Sequence, residues 1–125
     1  MAIIKTEYKG ALSTATTYAL SENPILTKAN PFGPTDLMTA SFGSCIVTYI
    51  DYIAKKNNFT TDKASVEVKK TMNADGTKIA AFDVVLNLNA SFSDEQKLII
   101  EESAKICPVG NSLHPDVKRS YVFNY

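Results

Sequence analysis

Tryptophan is absent from this 125-residue chain, arginine occurs once, at Arg119, histidine once, at His114, and cysteine twice, at Cys45 and Cys107. Each shortage excludes something. Two cysteines cannot build the framework of bridges with which small secreted domains replace a core. Together with His114 they make three ligands, one short of the usual structural zinc site, so a zinc site is not expected. A mechanism that needs a permanent, bidentate cation has one candidate, Arg119, because lysine is a flexible and strongly hydrated point charge. Basic and acidic residues number 13 each, and without net charge there is no field to draw in nucleic acid or an anionic membrane. The N-terminal M-A-I-I-K-T-E-Y-K-G has too short an apolar stretch for a signal peptide. No uninterrupted apolar run of bilayer-spanning length stands out either. The expectation is a cytoplasmic protein with no nucleic-acid or membrane partner.

What is present fits one domain over residues 1–125, long enough to bury roughly two thirds of its unfolded surface. Residues 2–8 and 11–18, rich in Ile, Thr and Tyr and divided at Lys9-Gly10, form a predicted hairpin, with a third strand at Pro24–Lys28. Pro34 to about Lys56 reads as a helix of some six turns, with Pro34 at its first position, Asp36 in its first turn and Lys55-Lys56 in its last. Asn57-Asn58 can end it. Between Leu37 and Ala54 its only formal charge is Asp51. A helix apolar nearly all round needs cover on every side, and association of two chains would supply it. The small residues Ala40, Gly43 and Ser44, with Val47, form a row that admits a second helix closely.

Val66 and Val68 alternate with Glu67 and Lys69, Asn73–Gly76 is a turn, and Ile79–Asn89 alternates again, which predicts a long antiparallel hairpin. Ser93 and Gln96 make a capping box for a second helix whose apolar face would be Leu98, Ile99, Ala104 and Ile106 and which Pro108 would stop just after Cys107. Val117–Tyr125 is a last, aromatic strand. Strands in hairpins with two helices define an α+β class, with antiparallel sheets around two central helices.

The chemistry rests on the thiols. Cys45 lies three turns into the first helix, too far for the helix dipole to help it, and Cys107 falls at the unfavourable C-terminal end of the second. Activation would therefore need a cation brought in by folding. Thiolate attack on a peroxide leaves a sulfenic acid, which a second nearby thiol converts to a disulfide that a reductant reopens. Equally, buried cysteines often serve as small hydrophobes. His114, followed by Pro115, reads as a loop residue. Thr35, Ser41 and Ser44 lack a G-x-S-x-G context and give no serine-hydrolase signal. Phe42 and Tyr49, about one turn from Cys45 to either side, and Tyr52, a further turn on, are candidates to line an apolar pocket, or plain core residues.

G-P-T-D-L-M-T-A-S-F-G-S-C, followed 62 positions later by C-P-V-G-N-S-L, resembles the OsmC/Ohr family of thiol-dependent organic hydroperoxide reductases, and the order of elements resembles it over nearly the whole chain. The resemblance implies an OsmC-like fold, an intertwined homodimer with active sites built from both chains, and no metal or organic cofactor. It implies Cys45 as the peroxidatic thiol, Cys107 as the resolving thiol, a small organic hydroperoxide as substrate and a dithiol as reductant. The best-studied branch adds an arginine in the N-terminal strands and a glutamate ten residues before the first cysteine. Here those strands contain no arginine, and that position is Thr35; Asp36, nine before Cys45, matches the acidic position of another OsmC-like branch. Supporting roles fall to Asp36 and to a cation among Arg119, Lys5 and Lys9. The alternative is a dimeric ligand-binding or redox-sensing protein of the same fold with little peroxidase activity.

Overall fold

The computed structural model describes residues 3–125. The element order is β1 (Lys5–Gly10), β2 (Ser13–Thr17), β3 (Ile25–Lys28), α1 (Pro34–Lys56), β4 (Ser65–Met72), β5 (Ile79–Asn87), α2 (Asp94–Ala104), α3 (Pro108–Asn111) and β6 (Lys118–Asn124). This is the expected α+β order with one added helix, α3. The predicted strand start at Ala2 lies outside the described residues. The chain separates into two compact units, Met1–Met38 and Thr39–Tyr125.

In the first unit β1, β2 and β3 form an antiparallel sheet in that order. The β1–β2 turn falls two residues later than the expected Lys9-Gly10 division. Gly10 still pairs with Ser13, and Ala11 and Leu12 take the bend with φ of 52° and 58°. Two successive left-handed residues match the twist of a tight hairpin, even though neither is the glycine or asparagine that usually marks one.

In the second unit β5 is the middle strand of the sheet β4-β5-β6. β4 and β5 pair antiparallel, but β6 runs parallel to β5, with Phe82 opposite Arg119 and Val84 opposite Tyr121. This corrects the all-antiparallel expectation: the α2–α3 segment intervenes before β6, and a parallel neighbour needs such a crossover rather than a hairpin turn. The Asn73–Gly76 turn is present, with Asn73 Oδ1 accepting from Thr77 N at 2.8 Å and Gly76 at φ 72°. β5 stops at Asn87, two residues short of the expected end, and Asn89 turns the chain away at φ 57°.

Helix α1 has the predicted bounds. Its C-terminus closes with Asn58 at φ 65°, Phe59 N donating to Ala54 O at 3.1 Å and Asn58 N to Lys55 O at 3.2 Å, a left-handed cap that satisfies the last carbonyls. By length and composition α1 is apolar enough to cross a membrane, which corrects the sequence expectation. Here it packs one face into the core: Phe42, Ile46, Ile50 and Ala54 are buried with Phe82, Val84 and Leu86 of β5 and Ile100 of α2. Each large side chain so buried contributes on the order of 1.5–3 kcal/mol. Phe42 and Phe82 are 5.0 Å apart, ring to ring. A Cβ on Gly43 would stand 3.3 Å from both Val66 Cγ1 and Val68 Cγ2, so of the row of small residues Gly43 brings α1 against strand β4 rather than against a second helix, while Ala40 and Ser44 are exposed. The opposite face, with Ser41, Ser44, Thr48 and Tyr52, is exposed.

Helix α2 starts as expected, with Gln96 N donating to Ser93 Oγ at 3.1 Å and Ser93 N to Gln96 Oε1 at 2.9 Å. Its buried face is Ile100, Ser103 and Ala104, whereas Leu98 and Ile106, expected in the core, are more than half exposed.

Candidate active site

The expected end of α2 at Cys107 is the main correction that the structure makes, and it reshapes the site. The helix ends at Ala104, and Cys107 adopts an extended conformation (φ −62°, ψ 149°) as the N-cap of α3. Pro108 stands at the first position of α3, where its missing N–H costs nothing. It therefore opens a new helix instead of merely stopping the old one. Cys107 moves from the electronegative end of one helix to the N–H end of another. Its Sγ accepts a hydrogen bond from Gly110 N at 3.4 Å, and Cys45 Sγ accepts one from Val109 N, also at 3.4 Å. Consecutive backbone amides thus serve two sulfurs that are 62 residues apart in sequence.

The two thiols, both free, differ in exposure. Cys107 is fully buried among the core residues, and Cys45 is half-buried at their edge. Burial pushes the Cys107 thiol up from its ordinary pKa, and the neighbouring Cys45 adds to that; the Gly110 amide and the charge of Arg119 act the other way.

Arg119 comes to the site from β6. Alternation along Lys118–Asn124 places Arg119, Tyr121 and Phe123 on the half-buried face. Arg119 Nη1 donates to Gly110 O at 2.7 Å. Gly110 is wedged: a Cβ there would lie 3.2 Å from each of Arg119 Nη1, Cys107 Sγ and Phe42 Cε1. Tyr121, next along the same face, has its hydroxyl pushed up by burial, with Arg119 opposing and Cys107 reinforcing the shift.

Cys45 opens onto a cleft of about 440 Å³. Ser41, Ser44 and Thr48 of α1 form one wall, Tyr49 and Tyr52 its aromatic end, and Pro108 and Val109 of α3 the facing side. Tyr49 and Tyr52, 6.0 Å apart ring to ring, are thus at the cleft as the helical spacing suggested. Phe42 is not: it points to the core and is fully buried, a correction to its expected place in the pocket. Asp36 accepts from Gly33 N at 2.8 Å at the start of α1. Lys5 and Lys9 both pair with Glu7 in the N-terminal sheet, at 3.5 and 3.2 Å. His114 is exposed in the α3–β6 loop beside Asp116. Sequence reasoning missed Val109, Gly110 and Tyr121. The usable signal was the C-P-V-G run itself, which sets a proline and two amide donors directly after an extended cysteine.

An α+β fold in which two distant thiols meet at one short helix defines a class of dithiol protein. The family model for OsmC-like protein matches residues 27–121, and the chain belongs to that family. Among solved structures, a protein from Psychrobacter arcticus, provisionally named for osmotic stress induction and a detoxification response, is 29% identical with a TM-score of 0.88, over 97% of this chain and 94% of that one. The organic hydroperoxide resistance protein OsmC of Legionella pneumophila is 12% identical with a TM-score of 0.74, over 100% and 97% of the two chains. The organic hydroperoxide resistance protein OhrB of Bacillus subtilis is 17% identical with a TM-score of 0.71, over 99% and 98%. No curated protein matches the chain by sequence.

Proposed function

We propose that this chain is a redox protein of oxidative-stress defence that reduces small organic hydroperoxides in the cytoplasm. The observation that carries the reading is the pair of sulfurs held by adjacent amides, one facing a cleft and the other buried behind it. The Cys45 thiolate attacks the terminal peroxide oxygen; the S–O bond forms, the O–O bond breaks, and the alkoxide leaves and takes a proton to become the alcohol. The Cys107 sulfur then attacks the Cys45 sulfenic acid, forming the disulfide and releasing water. A dithiol reductant returns two electrons and two protons. The names of the Legionella and Bacillus relatives support this substrate class. The cleft wall of Tyr49 and Tyr52 suits an aryl or alkyl group, and the chain itself supplies the chemistry without a cofactor.

Turnover of cumene hydroperoxide with a dithiol should vanish in Cys45→Ser. Cys107→Ser should retain a single event that leaves Cys45 reactive to a dimedone-type probe. Peroxide-treated Cys107→Ser protein in which Cys45 never acquires that label would overturn the reading and leave the ligand-binding or sensing alternative.

The same proposal includes a homodimer. Ile3, Ile4, Leu12, Leu20 and Leu26 of the first unit are all more than 60% exposed, more apolar surface than a short sheet ordinarily leaves in water. Sedimentation equilibrium showing only the 13.7 kDa species would remove this part.

A further inference from the structure

We propose that Arg119 is a positioning residue for closure of the Cys45–Cys107 disulfide, acting through the Gly110 carbonyl to hold the α3 turn that keeps the two sulfurs side by side. The inference rests on the dithiol reading above and adds the part that the N-terminal strands, without arginine, do not supply. Gly110 joins the two. Its carbonyl accepts the 2.7 Å bond from Arg119, and its N–H serves Cys107. The amide one residue earlier serves Cys45. The Gly110 carbonyl and the two sulfur donors lie in three successive peptide units of one short turn, so the guanidinium that holds the carbonyl from outside the helix steadies the turn that presents both amides.

The packing makes this more than an edge-strand charge folded inward. Arg119 Nη1, Cys107 Sγ and Phe42 Cε1 converge on the space that a Gly110 side chain would fill. A half-buried guanidinium is less screened than a surface one and holds its planar donors in a fixed fork. Its charge also favours the Cys107 thiolate, the attacking form in disulfide closure, against burial and against Cys45. Tyr121 is the other titratable group facing Cys107 from β6, and burial keeps it protonated.

The experiment separates the two half-reactions in the full chain. Sulfenic acid formation on Cys45 is followed by probe labelling, and closure is followed by the mass of the Cys45–Cys107 linked peptide, first with cumene hydroperoxide and then with diamide, which oxidises thiol pairs without peroxide. In Arg119→Gln, closure with either oxidant should slow at least tenfold. Its pH profile should move upward, and Cys45 labelling, compared in a Cys107→Ser background where closure does not compete, should stay within about twofold with and without the Arg119 change. Arg119→Lys should restore the pH profile but only part of the rate, since the charge returns without the fork. Gly110→Ala, which crowds the same corner from the other side, should also slow closure. Unchanged closure and an unchanged pH profile in Arg119→Gln would overturn the proposal. If Arg119→Gln does not fold, Arg119→Lys and Gly110→Ala both closing at the parent rate would overturn it equally. Diamide closure that depends on Arg119, with neither peroxide-driven closure nor peroxide-driven labelling of Cys45 in Cys107→Ser, would sink the hydroperoxide reading and leave this one standing. No Cys45–Cys107 peptide with either oxidant in the parent would overturn both.

Discussion

The two faces of helix α1 are made from one stretch of sequence and live under different rules. Phe42, Ile46, Ile50 and Ala54 are held in the core of the second unit, whereas Ser41, Ser44, Thr48 and Tyr52, interleaved with them, face the open cleft. Cys45 sits on the boundary, close enough to the core to take an amide from α3 and close enough to the cleft to meet a solute. On the buried face, shape and volume decide what is tolerated. On the open face a side chain is free to be chosen for what it touches. A thiol placed at the join can be rigid in position and still reachable.

The strongest test of that division removes volume from the buried face. Phe42→Ala deletes a fully buried ring packed on Phe82 and should cost about 3–5 kcal/mol in urea unfolding. A loss under 1 kcal/mol would mean that this face is not the packed one.

A smaller effect is expected where the helix is tied down beside its C-terminus. Asp51 Oδ1 accepts from Thr60 Oγ1 and from Thr61 N, both at 2.9 Å, and Oδ2 pairs with Lys55 at 2.8 Å. Lys55 first, then the Thr61 amide, hold its pKa down to about 2 from the ordinary 3.8. Because the folded-state value is the lower one, the stabilisation is present above about pH 4 and fades as pH falls toward 2. Asp51→Asn should therefore lose roughly 1–2 kcal/mol at neutral pH. Parent and variant should converge in acid, and a gap that persists unchanged at pH 2 would refute the assignment.

The smallest change in stability belongs to the open face. Thr48→Ala should shift unfolding by no more than about 0.5 kcal/mol, yet alter KM for hydroperoxides of different shape. If it destabilises as much as Asp51→Asn, the two faces are not distinct.

Much of this was legible because its causes are local. Pro34, Asp36 and the Lys55-Lys56 end bound α1 by terminal chemistry that acts within a turn, and Ser93 with Gln96 is a complete signal in four residues. The break between α2 and α3 was not legible, since proline both ends and begins helices and cysteine is an unusual N-cap. Nor was the orientation of Phe42, because a helix apolar on most sides does not reveal which side the sheet covers. The parallel pairing of β6 and the bond from Arg119 to Gly110 depend on the returning path of the chain. Period-two alternation reveals a strand but not its neighbour. The thiols themselves were found from sequence, but their shared helix end emerged only from the fold.

The close seat of Gly43 on Val66 and Val68 acts as a ruler. Two residues before Cys45, one missing methyl group sets the gap between helix and strand, and with it the depth at which the sulfur rests. Drift at this position would act like moving the stop on a sliding gauge: the sulfur would change its level against α3 without any change in the residues around it.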